Sequence, residues 1–186
     1  MTKLCEIAYK YGTDKCPQLG HSYTPIYYEL LKDKNFKKIL EIGIGGAKVM
    51  QWTPDHYQEA ASLKMWRDFF PEAQIYGVDY EPSVMYQGER IETHLCNTTK
   101  GSQVKVLLDR IGADFDLVID DGNHRLSSQL RTFGNLMPFL KKEVIYVIED
   151  SKSAQRIAEE LGNDYYCLVY KKPKHKQDSL VIIRNK

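Results

Sequence analysis

The residues with the clearest chemical potential are clustered in two short stretches. Phe115-Asp116-Leu117-Val118-Ile119 is an apolar strand that runs into Asp120-Asp121-Gly122-Asn123-His124, and Val144-Ile145-Tyr146-Val147-Ile148 runs into Glu149-Asp150. Carboxylates and an imidazole at the ends of two apolar runs can bind a cation and move a proton. Asp121 and Glu149 are 28 positions apart (149 − 121), close to the roughly 30 residues of a strand-helix-strand unit. Between them Leu126, Leu130, Phe133, Met137 and Leu140 recur at helical spacing, so the helix is a crossover and the strands are parallel. If the strands pair directly, their tips lie about 4.8 Å apart. Three or four carboxylates then converge beside His124, and like charges at that density require a cation. Oxygen donors of this kind suit a hard divalent ion such as Mg²⁺ far better than zinc.

These tips need a scaffold, and the rest of the chain reads as one. Residues 2 to 10 form a short helix, followed by Tyr11-Gly12-Thr13-Asp14-Lys15, which has the composition of a surface turn with side chains able to bind an anion or a hydroxyl. Thr24 as N-cap and Pro25 at the first helical position begin a second helix, with Ile26, Tyr27, Leu30 and Leu31 as its apolar face. The first strand, Lys37 to Ile42, leads into Gly43-Ile44-Gly45-Gly46, a turn where glycines let the backbone approach a ligand. Glu41 precedes the first of these glycines by two. A second strand, Gln74 to Val78, ends in Asp79, placed to accept hydrogen bonds from ribose hydroxyls, with Tyr80 beside it. Between these strands lie an insertion, Lys48 to Glu59, and a helix from Ala60 to Phe70. A third strand, Ile91 to Cys96, is followed by Asn97, where an adenine could be read, and by a helix from about Lys100 to Ile111. A helix over Ser151 to Leu161 precedes strands Tyr165 to Tyr170 and Ser179 to Ile183. Their connection, with the lysine-rich Lys171 to Lys176 as a flexible turn, is too short for a parallel crossover, so this pair is an antiparallel hairpin.

The expected fold is therefore an α/β, three-layer Rossmann-like sandwich in one domain, 1 to 186, with residues 1 to 35 as a helical cap. Its seven-stranded, mostly parallel sheet has the order 3-2-1-4-5-7-6. Ligands of such sheets bind beyond the carboxyl ends of the strands, where every motif above falls. A net charge of +1 gives no pull toward nucleic acid or membrane, and no apolar run approaches the 18 residues of a spanning helix. Cys5, Cys16, Cys96 and Cys167 lack metal-ligand spacing and read as free thiols of a reducing compartment, so the expected location is the cytoplasm.

The combination of YGTDK, HSYTPIYYELL, LEIGIGG, SLKMWRDFFPEAQIYGVD, VIDDGNH and YVIED resembles the class I S-adenosylmethionine-dependent methyltransferases, specifically the metal-dependent macrocin- and mycinamicin-type sugar O-methyltransferases. The resemblance spans roughly residues 8 to 150. It implies Asp121, Glu149 and Asp150 as Mg²⁺ ligands and His124 as general base. Glu41, Gly43 and Gly45 would shape the methionine side of the S-adenosylmethionine site, while Asp79, Tyr80 and Asn97 would serve its nucleoside. Tyr11, Thr13 and Lys15, with His21, would close over cofactor or substrate, and Asp120 would support the site from behind. The implied acceptor is a sugar or glycan; homo-oligomerisation is left open. The sequence departs from the common pattern at Ala47, Asn97 and Lys141-Lys142-Glu143.

Three other readings remain at this point. A catechol O-methyltransferase would use the same metal with an aromatic pocket. An Fe²⁺ oxygenase would want two histidines and one carboxylate, and only His124 is evident. A catalytically silent cofactor-binding module would not need the acid, base and metal set.

Overall fold

The computed structural model describes residues 1–50, 52–171 and 179–186. Five parallel strands form the centre of one sheet: β1 (Lys38–Ile42), β2 (Gln74–Asp79), β4 (Ile91–Leu95), β5 (Leu117–Asp120) and β6 (Ile145–Glu149). An antiparallel pair, β7 (Tyr165–Lys171) and β8 (Ser179–Asn185), closes one edge. A two-residue strand, β3 (Gln87–Gly88), lies antiparallel to β4 at the other. The full order is β3-β4-β2-β1-β5-β6-β8-β7. The seven expected strands stand in the expected order; β3 is the addition, too short to produce a periodic signal. Most of the expected Lys171 to Lys176 turn lies outside the described residues.

The strands alternate their side chains between two cores. Ile39, Leu117, Ile119, Val147 and Ile182 meet α1 (Lys3–Tyr11), α2 (Tyr23–Leu31) and α3 (Ala61–Phe69) on one face. Leu40, Ile42, Val118, Tyr146 and Ile148 meet α4 (Gly101–Ile111), α5 (Leu126–Leu136) and α6 (Ala154–Leu161) on the other. Parallel strands covered on both faces must be apolar throughout, which is why β1, β5 and β6 read as continuous runs. No helix among the described residues is long and apolar enough to cross a membrane.

The two N-terminal helices owe their register to burial. Leu4, Ala8 and Tyr11 lie along one stripe of α1, whose first turn is capped by the Thr2 hydroxyl, accepting from the Cys5 amide at 3.2 Å. In α2 the expected capping is corrected. The helix starts at Tyr23 with Ser22 in the cap position and no side-chain cap bond, so Pro25 is its third residue rather than its first. That start puts Tyr23, Tyr27 and Leu31 on one buried stripe. Thr24 is buried with its hydroxyl 3.0 Å from the Cys5 thiol, and Pro25 still falls in the first turn, where its missing N–H has no partner to lose.

The tips of β1 and β5 approach closely. The Asp121 amide donates to the Ile42 carbonyl at 2.8 Å, and the next residue, Gly43, has φ +86°. A Cβ on Gly43 would overlap the Asp121 carbonyl. We expect Gly43→Ala to cost at least about 2 kcal/mol, since left-handed strain alone accounts for about 1–2 kcal/mol and the overlap adds to it. Urea unfolding measures this directly, and a loss below about 0.5 kcal/mol would refute the close packing of the two tips.

A polar network pins α1 to α3. Tyr11 Oη donates to Asp68 Oδ2 at 2.6 Å, and Lys10 and Arg67 reach the same carboxylate. Burial alone would push the Asp68 carboxyl up, but the bonds from Tyr11, Arg67 and Lys10 outweigh it and hold it at about 2. A carboxyl depressed in the folded state stabilises above its unfolded pKa near 3.9, and that contribution fades as pH falls toward 2. Thermal unfolding from pH 5 to 2 should therefore fall less steeply for Asp68→Asn than for wild type; identical slopes would exclude this linkage.

Candidate active site

The strand register sets up the site before any side chain is considered. Ile42, Asp120 and Ile148 form one row across β1, β5 and β6, so Gly43, Asp121 and Glu149 are the next residues out on all three. A cavity of about 600 Å³ opens along this edge. It extends from Asp79, Tyr80 and Asn97 past Gly43 and Gly45 to Asp121, His124, Glu149 and Asp150, with Thr13, Lys15 and His21 supplied by the N-terminal segment.

At the acidic end the central feature is Lys15. Its ammonium is 2.6 Å from Asp121 Oδ2, 2.6 Å from Glu149 Oε2 and 3.3 Å from Glu41 Oε1, and the residue is only 2% exposed. Burial disfavours its charge, but the carboxylates dominate and raise its pKa well above the usual lysine value. Burial pushes Asp121 up as well, yet Lys15 and the bond from His124 bring it below the ordinary carboxylate range. In Glu149 burial prevails over Lys15, and the carboxyl lies well above that range. Asp150 is raised by burial and by repulsion from Asp121.

His124 Nε2 is 3.3 Å from Asp121 Oδ1, and that bond raises the imidazole pKa against the effect of burial. His124 does not cap a helix, because α5 begins at Leu126 with Arg125 in the cap position. Asp150 has a left-handed backbone, φ +53°, fixed by its amide bond to the Ser179 carbonyl at 3.0 Å. Tyr23 donates to its Oδ1, and His21 Nε2 is 3.5 Å from its Oδ2.

A cation fits this donor set. Ligand atoms of Asp121, His124 and Asp150 all lie within 4.8 Å of one another. That trio differs from the expected Asp121, Glu149 and Asp150. Glu149 is adjacent, but its Oε1 accepts from Tyr27 at 2.5 Å and its Oε2 from Lys15.

At the other end Asp79 accepts from the Ile44 amide at 2.9 Å and the Glu81 amide at 3.0 Å, which locks the glycine turn to the tip of β2. Asn97 Oδ1 accepts from the Thr99 amide and hydroxyl at 3.1 and 2.7 Å, while Tyr80 stands exposed at the rim. The insertion is tied to α1, since the Gln58 amide donates to the Tyr11 carbonyl at 3.0 Å and His56 Nε2 to the Tyr9 carbonyl at 2.8 Å.

Three expected site residues do not line the cavity. Tyr11 turns its phenol to Asp68 and Arg67. Glu41 is fully buried beneath Lys15, and burial raises its carboxyl. Asp120 lies below the tip of β5, accepting from the Gly122 amide at 3.3 Å, and burial pushes it up to about 7. Nor is the Tyr11 to Lys15 segment a surface turn: Tyr11, Thr13 and Lys15 are 6%, 4% and 2% exposed. The Tyr11 phenol and the Lys15 ammonium face carboxylates contributed from far along the chain. The sequence reading missed the hydroxyls of Tyr23 and Tyr27. The available signal was tyrosine, rather than leucine or phenylalanine, twice on one buried helix face, since a buried phenol needs a partner.

No family model matches the chain. Curated proteins do. The 8-demethyl-8-(2-methoxy-alpha-L-rhamnosyl)-tetracenomycin-C 3'-O-methyltransferase of Streptomyces olivaceus is 37% identical over 154 residues, covering 79% of this chain and 36% of that protein. Mycinamicin VI 2''-O-methyltransferase of Micromonospora griseorubida is 36% identical over 158 residues, with 81% and 36% covered. The chain thus spans little more than a third of the length of these relatives. Among solved structures, the MycE methyltransferase of the mycinamycin biosynthetic pathway, in complex with Mg, SAH and mycinamycin VI, superposes with a TM-score of 0.78 at 26% identity, covering 99% of this chain and 54% of that one. The SAH-bound Podospora anserina methyltransferase PaMTH1, at 15% identity and a TM-score of 0.61, shares the fold. The order of the sheet, its terminal hairpin and these similarities agree: the chain belongs to the class I methyltransferases, in the family of the macrocin- and mycinamicin-type sugar O-methyltransferases.

Proposed function

We propose that this chain transfers a methyl group from S-adenosylmethionine to a sugar hydroxyl of a small glycoside or glycan, with Mg²⁺ as cofactor. The observation that carries the reading is the continuity of one cavity from the nucleoside-side residues, Asp79 and Asn97, to the cluster of Asp121, His124 and Asp150. The named ligands of MycE, Mg, SAH and mycinamycin VI, suit these two ends.

In this reading Asp79 accepts from ribose hydroxyls, and Gly43 and Gly45 leave room for the methionine portion. Asp121 and Asp150, with Glu149 beside them, hold the cation, which when bound supplies Lewis-acid activation of the acceptor hydroxyl. His124 takes the hydroxyl proton. With Nε2 directed to Asp121 Oδ1 and keeping the ring proton there, Nδ1 is the basic atom. The acceptor oxygen then bonds to the methyl carbon as the carbon–sulfur bond breaks, and the sulfur leaves as a neutral thioether.

The surroundings favour a sugar over a catechol. Thr13, Asp14, His21, Asn123 and Ser128, which the N-terminal segment and the residues after β5 contribute to the cavity, are polar, whereas an aromatic diol would be met by apolar rings. An iron oxygenase is disfavoured because the cluster holds one histidine and two carboxylates, the inverse of the facial triad.

Calorimetric titration with S-adenosylhomocysteine should reveal one site per chain. Asp79→Ala should weaken it about 10- to 100-fold, the value of a charged hydrogen bond. Binding of NAD in its place would refute the cofactor assignment. For turnover, a screen with labelled S-adenosylmethionine against rhamnosides, other deoxyhexosides and catechols should give methylated sugar, abolished by EDTA and restored by Mg²⁺. His124→Ala should lower turnover by about 10² or more with little effect on cofactor affinity. Methylation of catechols alone, full activity in chelator, or undiminished activity of His124→Ala would each count against the corresponding part of the reading.

A further inference from the structure

Glu149 and Asp150 are consecutive residues at the end of β6, so the strand alone would send their side chains apart. Two phenols from α2 govern where their oxygens point. Tyr27 Oη donates to Glu149 Oε1 at 2.5 Å, and Tyr23 Oη donates to Asp150 Oδ1. The phenols are four residues apart, on one face of the helix, and so are stacked one turn above the other.

Neither ring is free to adjust. Tyr23 stacks on His21 with centroids 4.9 Å apart and planes 3° from parallel, while Tyr27 meets Trp66 edge-on at 5.0 Å and 84°. They are 2% and 0% exposed. The Tyr23 oxygen also accepts from the Ser179 amide at 3.1 Å, which occupies a lone pair and directs the phenolic proton to Asp150. Packing alone would be served as well by phenylalanine, which avoids burying a hydroxyl.

We infer that Tyr23 and Tyr27 are positioning residues of the metal site: Tyr23 fixes which oxygen of Asp150 faces the cation, Tyr27 holds Glu149 and its Lys15 partner in place beside it, and together they set the cation's affinity. The inference rests on the proposed metal dependence. A hydroxyl that orients a ligating carboxylate without changing its charge should act on metal binding and leave the distant nucleoside end of the cavity unaffected.

The test is calorimetric titration of MgCl₂ into wild type, Tyr23→Phe and Tyr27→Phe, with S-adenosylhomocysteine affinity and the thermal midpoint in EDTA measured alongside. Each variant should weaken Mg²⁺ binding by about 10- to 100-fold while keeping S-adenosylhomocysteine affinity within about twofold of wild type. Unchanged Mg²⁺ affinity with a lowered midpoint would make the phenols purely structural and overturn the inference while leaving the metal reading intact. Failure of both variants to fold would do the same. Wild type that binds no Mg²⁺ would overturn the metal reading and this inference together.

Discussion

Four carboxylates, Glu41, Asp121, Glu149 and Asp150, meet at one end of the sheet, and the Lys15 ammonium between three of them is the interaction on which the arrangement depends. Removing one partner of a buried ion pair typically costs about 3–5 kcal/mol, because the other charge is left without compensation. Here one cation serves several anions, so the cost would be shared across β1, β5 and β6. This explains why a segment as polar as Thr13 to Lys15 is buried. Its ammonium is the counter-charge that lets acids from three neighbouring strands gather near their ends, Glu41 within β1 and Asp121 and Glu149 at the tips of β5 and β6, and the protonation balance follows from it. Asp121, paired with both Lys15 and His124, stays ionised, while Glu149 and Asp150 are raised by burial.

The backbone does the rest of the positioning at a cost in strain. Gly43 at φ +86° lets the β1 turn lie against the Asp121 carbonyl, and Asp150 at φ +53° turns its side chain from the strand axis back over the site. A non-glycine residue in the left-handed region costs about 1–3 kcal/mol and persists only where its surroundings dictate it. Asp150 has such surroundings: the Ser179 carbonyl holds its amide and Tyr23 holds its carboxylate. The antiparallel hairpin therefore has a direct part in the site, because β8 supplies both the acceptor for the Asp150 amide and the amide that directs Tyr23.

The strands were legible because burial on both faces leaves a long apolar run with an acid or glycine at its end, a pattern local in sequence. The cluster of Asp121, His124, Glu149 and Asp150 was legible for the same reason, since strand ends in a parallel sheet fall on one edge. What was not legible depended on distant partners. Lys15 meets Asp121 and Glu149 across 106 and 134 positions, and composition alone marks its segment as a turn. Tyr27 read as part of an apolar face because its ring is apolar; the carboxylate that its hydroxyl meets, Glu149, lies 122 positions away. Glu41 and Asp120 lie near the sheet's edge, but they fall in adjacent rows of the paired strands, so alternation turns them to opposite faces of the sheet rather than into the cavity. The start of α2 was misjudged because the Thr-Pro pair is a strong local signal, whereas burial of Tyr23 decides the register.

The N-terminal segment and the insertion act as one wall. The Gln58 amide and the His56 ring both bond to carbonyls at the end of α1, and Gly12, which ends that helix, is packed against the Tyr57 backbone. Tyr57 lines the cavity from the insertion, as Thr13 and His21 do from the N-terminal segment. A ligand pressing on either element is therefore resisted by both, and through Lys15 and Tyr23 the same wall reaches the carboxylates. In a fold whose central sheet is fixed by apolar packing, this makes the residues ahead of β1 the part of the molecule that joins the open side of the cavity to the carboxylates at its end.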